Sequence, residues 1–163
     1  MRPARFSDIP ALLKLLRSSH ERSKYAGRTD LHEKAMEQML TGLVAGQTQQ
    51  GVGATYLQVA ETDGKVTGFV AGMLNRVYNI GTKLVANDLF LVNEAGSLKT
   101  TMALIDGYIA WARANPKVIE VGLSWSDALP GANIIADIYR RKGAHMVGEQ
   151  YEIRLDVAKE EAA

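Results

Sequence analysis

The strongest constraint on the fold is a change of period near the middle of the chain. Residues 55–62 (Thr-Tyr-Leu-Gln-Val-Ala-Glu-Thr) alternate in the manner of a strand, Asp63-Gly64 follows, and the strand pattern resumes over residues 65–74. An Asp-Gly pair tolerates the positive φ angles that a two-residue hairpin turn requires. The stretch therefore predicts two antiparallel strands joined directly. Gly68 and Gly72 in the second strand predict a close approach by a neighbour, or a bend. Any fold for the chain has to be built around this hairpin.

Before the hairpin the period is helical. Residues 2–6 are short and extended at Pro3, and Ser7 is the expected N-cap of a first helix, with Asp8 in its first turn and Pro10 near its start. Ile9, Leu12, Leu13, Leu15 and Leu16 form its apolar stripe, to about residue 20. The polar run 21–28 reads as a loop. Asp30 is the expected cap of a second helix to about residue 45, with Leu31, Ala35, Met36, Met39, Leu40 and Leu43 inward. Gly46 and the Gln/Thr/Gly stretch to Gly53 end it.

After the hairpin, residues 75–85 are a loop or a continuation of the strand. The next strand is expected over residues 86–92 and the next helix over 97–114, stopped by Asn115-Pro116. A strand over 118–123, a turn at Pro130-Gly131 and a helix over 132–142 ended by Gly143 follow. A final strand is expected within 146–157. The order β-α-α-β-β-β-α-β-α-β places helices against a mixed sheet, an α/β (α+β) fold. One domain is expected over residues 1–157, with a frayed charged tail over 158–163.

Composition removes several function classes. The 163 residues carry a net charge of +1 with Lys and Arg scattered, so nucleic-acid binding is not expected. The absence of cysteine excludes disulfides, thiolate ligands and a cysteine nucleophile. No apolar run approaches the roughly 18 residues of a membrane span, and the N-terminus lacks a signal-peptide core. A cytoplasmic protein is expected. His20, His32 and His145 have no ligand spacing, so no metal is assigned. No Gly-x-Ser-x-Gly elbow supports a serine nucleophile.

The stretch 88–113 carries the chemistry. A short apolar strand (Asp-Leu-Phe-Leu-Val) runs through a small-residue turn into a helix whose first turn holds hydroxyls and a lysine. The unpaired amides and partial positive charge of a helix start can hold phosphate. A nucleotide-binding P-loop is excluded, because Leu98 and Asn93 stand where that motif needs glycine.

Three segments together resemble the GNAT superfamily of acyl-CoA-dependent N-acyltransferases. Residues 2–13 (Arg-Pro-Ala-Arg-Phe-Ser-Asp-Ile-Pro-Ala-Leu-Leu) look like its first strand and helix. Residues 58–72 (Gln-Val-Ala-Glu-Thr-Asp-Gly-Lys-Val-Thr-Gly-Phe-Val-Ala-Gly) are similar to its second and third strands. Ile138-Tyr139-Arg140-Arg141-Lys142-Gly143-Ala144 resembles its late helix, usually Leu-Tyr-x-x-x-Gly-Phe. The element order matches over essentially the whole chain, with a flavour of phage- or bacteria-encoded acetyltransferase-like proteins. The resemblance implies a mostly antiparallel mixed sheet, helices on both faces, and strands four and five splayed around acetyl-CoA.

Site residues follow by the same resemblance. The pantetheine arm would lie along Leu89, Phe90 and Leu91. The pyrophosphate loop would be Gly96, Ser97, Leu98, Lys99, Thr100 and Thr101. The family pattern there is Gln/Arg-x-x-Gly-x-Gly/Ala; this chain has Gly96 for the arginine, and Lys99 and Thr101 for the two glycines. Tyr139 would be the general acid toward the leaving thiolate, its alternative being a packed core tyrosine. Asn133 would contact the pantetheine arm or serve as a helix N-cap. Asp88 or Asp127 would relay the amine proton, with Glu120 a further option and a surface turn the alternative for Asp127. Tyr25 and Tyr78 would line the acceptor site, the alternative being ordinary half-exposed aromatics.

Arg140, Arg141 and Lys142 complement a helix C-terminus, or meet the cofactor's nucleotide phosphates. The expected activity is acetyl transfer from acetyl-CoA to an amine on a small molecule or protein, with a homodimer open. The rival expectation, from the glycine-poor loop, is a catalytically weakened GNAT-fold protein that binds another protein.

Overall fold

The hairpin forms as its sequence predicts. Asp63 and Gly64 take φ angles of 51° and 73°, and Thr62 stands opposite Lys65 in an antiparallel pair. In the computed structural model, which describes residues 1–155, this pair is the centre of one five-stranded sheet. The strands are β1 (Arg2–Pro3), β2 (Thr55–Thr62), β3 (Lys65–Arg76), β4 (Leu84–Asn93) and β5 (Val118–Gly122), in that spatial order. All neighbours are antiparallel except β4 and β5, which run parallel. The helices are α1 (Ile9–Glu21), α2 (Glu33–Gly46), α3 (Leu98–Arg113) and α4 (Asn133–Arg141).

Strand alternation gives the sheet two apolar faces, and each has a helix layer. Ile9, Leu12, Leu15 and Leu16 of α1 and Leu40, Leu43 and Val44 of α2 pack on Leu57, Val59, Phe69 and Ala71. On the other face, Leu104, Tyr108 and Ala112 of α3 pack on Tyr56, Ala60, Val70, Leu74, Leu84 and Ala86. Burying each such large apolar side chain contributes about 1.5–3 kcal/mol, so these two layers dominate the fold's stability. Gly72 faces Tyr108 so closely that an added Cβ would stand 2.4 Å from the ring, which accounts for a glycine inside this strand. Ile105, Ile138 and Tyr139 make a third cluster, which fastens α4 to α3.

Several expected boundaries move. Helix α2 starts after His32, whose Nδ1 accepts from the Ala35 amide at 3.2 Å, and not after Asp30. Ser7 lies within a short 3-10 turn ahead of α1, and the cap position falls on Asp8. The Asp8 carboxylate makes no bond to the α1 amides and instead accepts from the Arg5 amide and pairs with both terminal nitrogens of Arg2. The cap position of α4 is Ala132, so Asn133 is the first helical residue and caps nothing.

The strand expected within 146–157 is absent among the described residues. Residues 144–155 form no ladder, and Val147, Tyr151 and Ile153 are 84% exposed or more. Strand-forming residues do not make a strand unless an edge pairs with them, and here none does. The end of that expected strand and the tail over 158–163 lie outside the described residues. Among the described residues no helix is long and apolar enough to cross a membrane.

Candidate functional site

The site is set by the way β4 changes partners along its length. Residues Leu84 to Asn87 pair with β3 on one side and β5 on the other. Beyond Asn87 the pairing with β5 ends, so the two parallel strands splay. At the same place β4 carries a bulge: Gly72 pairs with Asp88 and Ala71 with Phe90, which leaves Leu89 without a β3 partner. An extra residue reverses the facing of everything after it. Leu84 and Ala86 therefore face α3, whereas Phe90 and Val92 face α1 and α2. Leu91 is turned back toward α3 and α4.

The end of β5 fills the mouth of this splay. The Tyr108 hydroxyl donates to the Gly122 carbonyl at 3.3 Å, and two residues later Ser124 binds two other elements. Its amide donates to Asp88 Oδ2 at 2.9 Å and its hydroxyl to Asp88 Oδ1 at 2.7 Å. Its carbonyl accepts from the Tyr139 hydroxyl at 3.0 Å. Ser124 thus joins an acid on β4 to a phenol on α4. Burial pushes the Asp88 carboxyl above the usual aspartate range, and the two hydrogen bonds from Ser124 hold the rise back. Burial, followed by the charge of Asp88, pushes the Tyr139 phenol well above the usual tyrosine range. These are the properties of a proton acceptor that titrates upward and a donor that stays protonated.

The turn between β4 and α3 is built by its own hydroxyls. Gly96 has φ of 65°, a conformation natural to glycine, and Ser97 caps α3 by accepting from the Thr100 amide at 3.3 Å. Thr101 is buried, donating to the Ser97 carbonyl and accepting from Asn93 Nδ2 at 2.9 Å. Its side chain therefore points into the fold, away from a ligand at the helix start. Among the described residues the amides of Leu98 and Lys99 make no hydrogen bond. Leu98 and Lys99 are exposed, and Thr100 is half-buried.

The remaining expected residues do not converge on this cluster. Asp127 is a rim residue, 69% exposed at its side chain, and pairs with Lys24 at 2.6 Å. Lys24 also holds Glu152 at 2.7 Å, which ties residues 24, 127 and 152 into one exposed network. Tyr25 stands beside it, with Lys24 and Arg28 about 5.5 and 5.7 Å from its ring centre, over a 320 Å³ cavity lined also by Ile153 and Leu155. Tyr78 is 90% exposed at a positive φ of 50°, in the turn after β3. Asn133 and Glu120 are exposed. Arg140 pairs with Asp137 and Lys142 with Asp106, so neither is held for phosphate in this arrangement.

Sequence reasoning missed Ser124. Its partners lie 36 and 15 residues away, and a serine after a strand has no local signal.

This is the GNAT fold: a mixed sheet, helices on both faces, and a parallel β4–β5 pair that splays. A putative acetyltransferase from Agrobacterium tumefaciens str. C58 superposes with a TM-score of 0.67 at 17% identity, over 94% of this chain and 97% of that one. A ribosomal-protein-alanine N-acetyltransferase from Brucella melitensis biovar Abortus 2308 gives 0.64 at 17% identity, over 94% and 96%. A predicted acetyltransferase with acetyl-CoA from Clostridium acetobutylicum gives 0.60 at 15% identity, over 96% of each chain. No family model matches the sequence, and no curated protein matches it.

Proposed function

We propose that the chain is an N-acyltransferase that moves an acetyl group from acetyl-CoA to an amine. The observation that carries this reading is the meeting of Asp88, Ser124 and Tyr139 at the mouth of the β4–β5 splay. The residues present fit the cofactor. Past Asn87 β4 is paired on one side only, which leaves backbone groups around Leu89 to Leu91 for the amides of an extended arm. The α3 start offers the Leu98 and Lys99 amides and the Lys99 ammonium for phosphate. When bound, acetyl-CoA supplies the activated acetyl thioester.

The protein's own groups then do the proton work. Asp88, held by two donors from Ser124, takes the proton of the incoming amine directly or through one water. Tyr139 keeps its proton at neutral pH and holds it for the departing sulfur. Tyr25 and the Lys24–Asp127–Glu152 network form the rim that an acceptor passes. Asn133, exposed at the start of α4, is the candidate further contact for the cofactor arm, and the exposed Tyr78 a candidate for acceptor contact.

The loop favours a second reading, a GNAT-fold protein that binds a protein partner with little or no catalysis. Lys99 and Thr101 replace the glycines, and the Ser97 and Thr101 hydroxyls are engaged within the fold. Thermal melting with acetyl-CoA separates the two. The enzyme reading expects a stabilisation that grows with ligand, about 2.7 kcal/mol at a hundred times Kd. No binding at millimolar acetyl-CoA sinks it.

A further inference from the structure

We infer that Ser124 is the positioning residue of the acid–base pair, orienting Asp88 through two donors and Tyr139 through one acceptor. The inference rests on the acyltransferase reading for its kinetic consequence, but not for the anchoring itself. Ser124 lies just past the end of β5, where the backbone leaves the sheet. The residue is exposed, yet its amide, hydroxyl and carbonyl all turn to the cleft. Both oxygens of Asp88 are occupied by donors from this one residue, which fixes the rotation of the carboxylate.

The site's chemistry makes this arrangement consequential. The groups facing Asp88 are Ser124 after β5, Tyr139 on α4 and Tyr108 on α3. Tyr108 and Tyr139 are themselves pushed up by burial and by the charge of Asp88. Ser124 thus supplies two of the donors that keep a packed carboxylate ionised. Without its hydroxyl Asp88 would hold its proton to higher pH, and fewer molecules would carry the base at a given pH.

The test is Ser124→Ala, with Ser124→Thr as the variant that keeps the hydroxyl. The first reading is a carbon-13 NMR titration of the Asp88 carboxyl in the protein without cofactor. Ser124→Ala should raise the midpoint by about one pH unit, the order expected for losing one hydrogen bond to a charged group, and Ser124→Thr should restore it. The second is the pH profile of acetyl transfer. Its acid limb should move up by the same amount, with KM for acetyl-CoA changed less than about twofold, since the variant leaves the binding groups alone. An Asp88 midpoint that stays put in a folded Ser124→Ala protein overturns the anchoring. Normal wild-type turnover with an unmoved acid limb in Ser124→Ala overturns the kinetic role. A wild type without turnover, whose midpoint still rises in Ser124→Ala, overturns the acyltransferase reading alone and supports the anchoring.

Discussion

Asp88 lies within β4 and Asp127 in the loop beyond the end of β5, and their surroundings drive the two aspartates in opposite directions. Asp88 is packed between β4, β5 and α4, and burial raises its pKa. Asp127 stands on the rim in water, and the Lys24 ammonium holds its carboxyl below the usual range. The signs of their pH effects differ accordingly. A carboxyl raised in the fold favours folding below its unfolded pKa, and that contribution is lost as pH rises through the raised value. A carboxyl lowered in the fold contributes above its unfolded pKa and loses that contribution as pH falls through the lowered value. The first pattern suits a proton acceptor, the second an ion pair at a loop junction. Residue type did not separate them; packing did.

The largest expected break in this comparison is Asp88→Asn. An amide keeps the shape but cannot accept the amine proton, so kcat should fall by about 10²–10⁴, with acetyl-CoA affinity unchanged in titration calorimetry. The acid limb of the pH profile should vanish with it. A variant that retains half of the wild-type rate would remove Asp88 from the mechanism. Tyr139→Phe should come next, at roughly 10²-fold on kcat. The ring still packs with Ile105 and Ile138, so the melting temperature should change little while the rate falls. Equal turnover would reduce Tyr139 to a packing residue.

The sequence carried the parts of this site that local period and turn chemistry specify. The hairpin was legible because Asp63-Gly64 and the strands around it point to one conformation, α1 because its apolar stripe faces a core, and α3 because a hydroxyl-rich start and Asn115-Pro116 bound it. The splay of β4 from β5 came from resemblance alone. The bulge at Leu89 was not legible: after Asp88 the run Leu-Phe-Leu-Val is apolar throughout, with no glycine or proline to mark an extra residue. Ser124 was hidden for another reason, since its meaning lies in contacts that only the folded chain creates. His32 displaced Asp30 as a cap because several polar residues precede α2, and composition does not say which one reaches the first amides. The expected last strand failed on pairing, which no residue pattern encodes by itself.

Asp127→Asn should show the smallest effect, and for that reason tests the comparison most directly. The side chain is mostly in water, where an ion pair is screened and worth little. Lys24 keeps Glu152 at 2.7 Å when Asp127 is neutral, and the Lys24 amide still donates to the Ala128 carbonyl at 2.9 Å. The loop carrying Ser124 therefore stays tied to the turn after α1. Turnover should fall less than about twofold, in line with the weak coupling of exposed pairs. In wild type, the protection of the Lys24 amide against proton exchange, taken relative to its intrinsic rate, should fall only below the ordinary aspartate range, as Asp127 and Glu152, both held low by Lys24, take up protons. A tenfold loss of kcat in Asp127→Asn with the cofactor still bound would place the amine's proton acceptor on the rim. It would also make the half-buried Asp88 a structural tie between the splayed strands. Both outcomes can be read in the same kinetic assay, because only a proton acceptor carries the acid limb away with it.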